Sequence, residues 1–203
     1  MAAPTELAAE PAPAPQRAYV GLGANLGDAL ATLRAALQAL AAWPGLHLAA
    51  VSPLYRSAAL PAGGPDYLNA VVALDTCLSP LALLQALQQT EAAFGRERPY
   101  AHAPRTLDLD LLLHGPCCQT EPQLTLPHPR LHLRAFVLRP LLDLQPQLAA
   151  PGLGLLAHWL PGTAGQVLKR VADPSWTGST APTMPRGPSV VVGCSPPGPR
   201  GGA

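Results

Sequence analysis

Pro104-Arg105-Thr106-Leu107-Asp108-Leu109-Asp110-Leu111 is the stretch that decides the fold. Apolar residues alternate at Leu107, Leu109 and Leu111, the period of a β-strand. Side chains at i and i+2 share a strand face, so the three leucines turn into a core and Asp108 and Asp110 turn together to the other side. The strand rise sets the two aspartate Cα atoms about 7 Å apart. Two readings fit the stretch by itself. One is a pair of hard oxygen ligands for Mg²⁺, with Arg105 beside them for phosphate, the parts of a phosphoryl-transfer site. The other is a solvated sheet face.

Working outward, the next strand is Tyr67 to Asp75. Leu68, Ala70, Val72 and Leu74 take one face; Tyr67, Asn69 and Val71 take the other. Asn69 carries both donors and an acceptor, which match the edge of a flat heterocycle, and Tyr67 could flank such a ring; a paired sheet Asn is the plainer reading. Between the two strands, Ser79-Pro80 reads as a helix N-cap followed by Pro at the first position, and Gly95 as the stop. Leu81, Leu84, Leu87, Glu91 and Phe94 are expected on its buried face. Upstream, Ala18 to Leu22 is a strand running into a Gly21-Leu22-Gly23 turn. Asp28 caps a helix whose stripe is Leu26, Leu30, Leu33, Leu37 and Leu40. Leu46 to Ser57 is extended, with an interruption at Pro53. The order strand–helix–strand–strand–helix–strand is a ferredoxin-like βαββαβ core, an α+β fold with an antiparallel sheet. Downstream, Leu131, Ala135, Leu138 and Leu142 suggest a helix that Pro140 bends or shortens. Leu155 to Leu160 suggests one more. These C-terminal helices would extend the core into an α/β/α sandwich.

Composition narrows the function. The chain has 203 residues and a net charge of +1, so no whole-chain field favours nucleic acid or a membrane surface. Aromatic residues are only 4%, too few for an RNA-binding sheet that stacks bases. Lys169 is the only lysine, which excludes a Gly-x-x-x-x-Gly-Lys phosphate loop. Arginines gather instead at Arg96, Arg98, Arg105, Arg130 and Arg134. Cys77, Cys117, Cys118 and Cys194 show no metal-ligand spacing, and no apolar run approaches the roughly 20 residues of a membrane span. A cytoplasmic protein is expected. Residues 1–17 and 177–203 are rich in Pro, Gly, Ala and Ser and are expected to be disordered tails around one domain at 18–176.

Six motifs stand in one order: Gly23-Ala24-Asn25-Leu26-Gly27-Asp28, Tyr55-Arg56-Ser57, Pro65-Asp66-Tyr67-Leu68-Asn69, Gly95-Arg96-x-Arg98, Pro104 to Asp110, and Leu126-Pro127-His128. Together they resemble the 6-hydroxymethyl-7,8-dihydropterin pyrophosphokinases of folate biosynthesis over about residues 18–176. The resemblance implies transfer of the β,γ-pyrophosphoryl group of ATP to the pterin hydroxymethyl oxygen, with release of AMP. It implies that Asp108 and Asp110 bind two Mg²⁺ ions, that Arg96 and Arg105 stabilise phosphate charge, and that Arg98 clamps ATP on a closing loop. It further implies a pterin pocket of Ser57, Ala58, Leu60, Tyr67, Asn69 and Phe136, and ATP contacts from Gln88, Glu91, Leu111, Thr125, His128 and Arg134. Other folate-pathway enzymes are the implied partners. The chain departs from the family pattern at His102, where Trp is common, at Pro99, where Lys is common, and at Ser57-Ala58-Ala59-Leu60, where Thr-Pro-Pro-Leu or similar is usual. The altered loop leaves a non-catalytic pterin- or nucleotide-binding module as the alternative.

Overall fold

The computed structural model describes residues 14–59, 64–95 and 106–178. Leu60, Arg96, Arg98, Pro99, His102, Arg105 and both expected tails beyond those limits lie outside the described residues.

The elements of the expected core appear in the expected order. They are β1 (Gln16–Ala24), α1 (Ala29–Ala41), β2 (Leu46–Val51), β3 (Leu54–Ser57), β4 (Tyr67–Thr76), α2 (Pro80–Ala93) and β5 (Asp108–His114). β2 and β3 are one extended run broken at Ser52-Pro53, where Pro cannot donate to the ladder. They pair in succession along β4: Leu46 opposite Thr76 through Val51 opposite Val72, then Tyr55 opposite Asn69. β4 pairs with β1 and β1 with β5, every pairing antiparallel. This is the ferredoxin-like α+β arrangement.

One face of the sheet is covered by α1 and α2. Leu33, Leu37 and Leu40 of α1 and Leu83 and Leu87 of α2 bury against Val20, Leu22, Ala70, Val72, Leu74, Leu107, Leu109 and Leu111. Asp28 caps α1 as expected, its carboxylate accepting the Ala31 N–H at 3.0 Å; Ser79 caps α2 through the Ala82 N–H at 3.2 Å. Three local expectations change. Leu26 lies ahead of α1, because the cap at Asp28 starts the helix after it. The buried stripe of α2 runs through Leu83, Ala86, Leu87, Thr90 and Glu91, so Leu81 in the first turn is 39% exposed. And Gly21-Leu22-Gly23 is no turn: β1 continues through Gly23 to Ala24.

The opposite face is covered by the C-terminal third. After two short hairpin strands, β6 (Gln119–Thr120) and β7 (Thr125–Leu126), a 3-10 turn at Leu131–Leu133 leads into α3 (Ala135–Leu144). Pro140 sits buried inside α3 without ending it. Leu131, Val137, Leu138 and Leu141 pack on Tyr19, Val71, Ala73 and Leu112. The short strands β8 (Ala149–Ala150) and β9 (Gly154–Leu155) precede the last expected helix, which is a 3-10 helix at Leu156–Thr163.

One strand was not expected. β10 (Leu168–Ala172) adds to the outer edge of β3. The 3-10 turn that follows, Pro174–Thr177, buries Trp176 at the β2–β3 break: its indole N–H donates to the Ser52 carbonyl at 2.9 Å. Arg34 of α1 donates to the Trp176 carbonyl at 2.6 Å and ties that turn to the first helix.

α3 is tied to the sheet through Tyr55 of β3, which is 7% exposed and donates its hydroxyl to Asp143 of α3. Burial first, and then this bond to a carboxylate, raise the Tyr55 pKa above its ordinary value. A phenol whose pKa is higher in the folded than in the unfolded chain stabilises fully below the unfolded value of about 10, and that contribution is lost as pH rises beyond it. Tyr55→Phe is therefore expected to lower stability by about 1 kcal/mol at pH 7, and to shallow the loss between about pH 10 and 11. Denaturant midpoints at pH 7, 10 and 11 check this; an alkaline loss of unchanged steepness in the variant would assign it to other groups.

Candidate active site

Along the face that α3 covers, the sheet changes character. At the α3 end it is apolar: Tyr19, Val71, Ala73 and Leu112. Beyond α3 it becomes polar. Asn69 on β4 stands opposite Gly23 on β1, and Gly23 stands opposite Asp108 on β5. One step along, Val71, Gly21 and Asp110 form the next row. Directly opposed residues share a face, so Asn69, Asp108 and Asp110 project from the same surface.

The glycines make that surface a floor. A Cβ on Gly23 would stand 3.5 Å from Asn69 Oδ1 and 3.9 Å from Asp108 Cβ. A Cβ on Gly21 would stand 3.8 Å from Asp110 Cβ and 3.6 Å from Leu112. Any larger side chain on these residues would fill the space between the Asn and the carboxylates. The signal was present in the sequence, as two glycines at strand spacing, the same spacing as the two aspartates. Read alone, Gly21-Leu22-Gly23 suggests a turn, because Gly pairs more often mark turns.

Asn69 is 5% exposed and positioned by its neighbours. Its Nδ2 donates to Ser57 Oγ at 2.9 Å and more weakly to the Tyr67 carbonyl at 3.4 Å. Its Oδ1 lies over Gly23. Ser57 and Tyr67 are paired at the adjoining ends of β3 and β4, so Ser57, Tyr67 and Asn69 form one corner, with Ala58 exposed beside it. Asn25, buried after β1, donates to the Pro65 carbonyl at 3.2 Å and holds the approach to β4 against the end of β1.

The Asp108 and Asp110 carboxylates are partly exposed. Asp110 Oδ2 lies 3.4 Å from Arg134 Nη1. The Arg134 guanidinium also sits over the Phe136 ring, 5.4 Å from its centre, so the start of α3 brings a cation and an aromatic face to the floor. Among the described residues no three His, Cys, Asp or Glu converge on one point.

Around the outer edge of β5 is a cleft of about 260 Å³, lined by Leu84, Asp110, Leu111, Thr125 and His128 among others. His128 is fixed by its own backbone, whose N–H donates to the Leu112 carbonyl at 2.9 Å. Its Nδ1 accepts the Arg130 N–H at 3.2 Å, which leaves Nε2 as the protonated nitrogen of the neutral ring. Burial lowers the His128 pKa, and the nearby Asp110 carboxylate opposes that effect without reversing it. His128 is thus a neutral donor at pH 7.

Two of the expected nucleotide residues stand differently. Gln88 is exposed on α2. Glu91 is 1% exposed, and its Oε1 accepts the Leu109 N–H at 2.7 Å. That bond reaches the residue between the two aspartates, from the last turn of α2 to the open edge of β5.

Residues 19–146 match the family model described as 7,8-dihydro-6-hydroxymethylpterin-pyrophosphokinase. The chain belongs to this family. A 2-amino-4-hydroxy-6-hydroxymethyldihydropteridine pyrophosphokinase of Pseudomonas aeruginosa is 50% identical over 137 residues, which are 67% of this chain and 85% of that protein. The Haemophilus influenzae protein of the same name is 43% identical over 142 residues, 70% and 89% of the two chains. Among solved structures, a Plasmodium falciparum HPPK-DHPS chain with pterin and p-hydroxybenzoate superposes with a TM-score of 0.58 at 15% identity, over 75% of this chain and 44% of that one. The chain spans less than half of such two-part proteins, and the likeness to them bears on the fold. As a family member the chain is an ATP-dependent pyrophosphokinase: it transfers pyrophosphate from ATP to hydroxymethyldihydropterin in folate biosynthesis.

Proposed function

We propose that the reaction takes place on the glycine floor, with the pterin at the Asn69 corner and the triphosphate above Asp108 and Asp110. The observation that carries this is the row Asn69–Gly23–Asp108: among the described residues an amide and a carboxylate share one face with only a glycine between them. A pterin held at Asn69 would extend its hydroxymethyl arm along the floor toward the carboxylates. Ser57, Ala58, Leu60, Tyr67 and Phe136 complete its pocket. Phe136, under Arg134, supplies a ring face, and the Ser57 hydroxyl fixes which way the Asn69 amide points.

Asp108 and Asp110 would hold two Mg²⁺ ions, which neutralise the triphosphate and align its β-phosphorus with the pterin hydroxyl. In the transfer the hydroxymethyl oxygen forms a bond to Pβ, the bond from Pβ to the oxygen bridging it to Pα breaks, the hydroxyl proton is released, and AMP leaves. The chain's own part is to bind, orient and screen. Arg134 trades its 3.4 Å contact with Asp110 for phosphate oxygens when nucleotide binds. His128 donates from Nε2 to the nucleotide in the cleft that Leu111 and Thr125 also line. Arg96 and Arg105 stabilise phosphate charge, Arg98 clamps ATP, and Gln88 contacts it from α2. Glu91 acts from beneath, by fixing Leu109 and so the spacing of the two aspartates. The catalytic unit is the domain expected at 18–176, whose ordered elements run from Gln16 of β1 to Thr177, and its setting is the cytoplasm. Among the described residues no helix is long and apolar enough to cross a membrane. Other folate-pathway enzymes are its natural partners, in line with a Schizosaccharomyces pombe relative named folic acid synthesis protein, 39% identical over 135 residues, of which this chain covers 18%.

The test is product analysis with purified protein, ATP, Mg²⁺ and 6-hydroxymethyl-7,8-dihydropterin. AMP and the pterin diphosphate in equal amounts are expected. ADP would mean attack at Pγ and a different alignment over the floor. Asn69→Ala is expected to raise the pterin KM about tenfold to a hundredfold, the worth of a buried pair of hydrogen bonds, with the ATP KM nearly unchanged. Equal weakening of both substrates would make Asn69 a purely structural group.

A further inference from the structure

Arg134 stands at a joint. The 3-10 turn Leu131–Leu133 ends before it, α3 begins after it at Ala135, and Arg134 itself is extended, with φ −120° and ψ 115°. The first N–H groups of a helix and the last carbonyls of the preceding turn have no partners within their own elements. Arg134 offers no side-chain cap.

Gln166 supplies both missing partners. Its Oε1 accepts the Ala135 N–H at 2.9 Å, and its Nε2 donates to the Leu133 carbonyl at 2.7 Å. One carboxamide therefore grips the peptide groups on either side of Arg134. Gln166 is itself anchored: its N–H donates to the Thr163 carbonyl at 3.0 Å, and the buried Thr163 donates its hydroxyl to the Leu160 carbonyl at 2.9 Å. The side chain is otherwise exposed, and ordering an exposed glutamine costs rotamer entropy that a surface position seldom justifies.

We propose that Gln166 is a positioning residue for pyrophosphoryl transfer. By clamping Leu133 and Ala135 it fixes the direction in which Arg134 leaves the backbone toward Asp110, and in which Phe136 presents its ring beneath the guanidinium. The proposal rests on the reading of Arg134 as a nucleotide-binding group. A simple helix cap would stabilise α3 equally whether or not Arg134 carried a guanidinium; a clamp that serves Arg134 would not matter once that guanidinium is gone.

A double-mutant cycle separates the two, with the ATP KM and thermal midpoint measured for each variant. Gln166→Ala in the otherwise unchanged chain is expected to raise the ATP KM about fivefold to tenfold, the scale on which modest misplacement of a binding group acts. In an Arg134→Ala background the same change is expected to leave the ATP KM within about twofold. Gln166→Glu keeps the acceptor and loses the donor, and falls between. An equal loss in both backgrounds, or an unchanged ATP KM in the single variant, would overturn the proposal and leave Gln166 a cap. If Arg134→Ala alone keeps the original ATP KM, the nucleotide role of Arg134 fails and the proposal falls with it, an outcome distinct from the other two.

Discussion

Asp110→Asn is expected to lower kcat by about a thousandfold while the fold survives. The argument has two parts. Asparagine keeps the shape of aspartate and one carbonyl acceptor, and Asp110 sits partly exposed on β5, so neither packing nor strand pairing with Gly21 is disturbed. What is lost is the negative charge. An amide is a poor ligand for a hard cation that already keeps most of its shell as water and phosphate oxygen. The neighbouring Arg134 then loses its counter-charge and is drawn to phosphate, so ATP binding falls less than turnover. Steady-state kinetics with circular dichroism check both halves. An active, folded Asp110→Asn enzyme would remove the metal assignment; an inactive, unfolded one would make Asp110 structural.

Gly23→Val is expected to be the most damaging change available at a residue with no functional group. The backbone accepts it: Gly23 lies within β1, paired on both sides, and β-branched residues suit strands. The cost falls on the floor. The Cβ alone would approach Asn69 Oδ1 to 3.5 Å and Asp108 Cβ to 3.9 Å, ordinary contacts. The two methyl groups beyond it would occupy the space between amide and carboxylate. Stability should change by about 1 kcal/mol or less, whereas kcat/KM for the pterin should fall by at least about a hundredfold. Gly23→Ala should lie between. A fully active Gly23→Val enzyme would mean that the substrate does not cross this row.

What could be read from the sequence follows from period and burial. The strands β4 and β5 have one face against α1 and α2, so apolar residues recur at every second position; where α3 covers the other face the runs become continuous at Ala70–Leu74 and Leu111–Leu113, and where it does not, Asn69, Asp108 and Asp110 face the floor. The caps at Asp28 and Ser79 were legible because a single side chain makes them. Other features depend on distant partners. β10 is mostly exposed and exists by pairing with β3, so Leu168–Ala172 carries no pattern of its own. Trp176 joins the core cluster under α1, and the β2–β3 break leaves the Ser52 carbonyl to receive its indole N–H. Glu91 looks like an ordinary helix-face carboxylate, and its burial becomes intelligible once the Leu109 N–H is found on the open edge of β5. The glycine floor differs: Gly21 and Gly23 do carry a signal, the two-residue spacing they share with Asp108 and Asp110, but its meaning depends on the pairing of β1 with β5.

The most direct test is a count of the divalent ions bound, and of how many depend on Asp108 and Asp110. Mn²⁺, which suits the same oxygen ligands as Mg²⁺, can be counted by electron paramagnetic resonance in the presence of the pterin and α,β-methylene-ATP, whose Pα–Pβ link cannot be cleaved. Two tightly held ions per chain are expected, with the count falling in Asp108→Asn and in Asp110→Asn. Two ions retained when both aspartates are replaced would contradict the assignment of these carboxylates as the metal ligands.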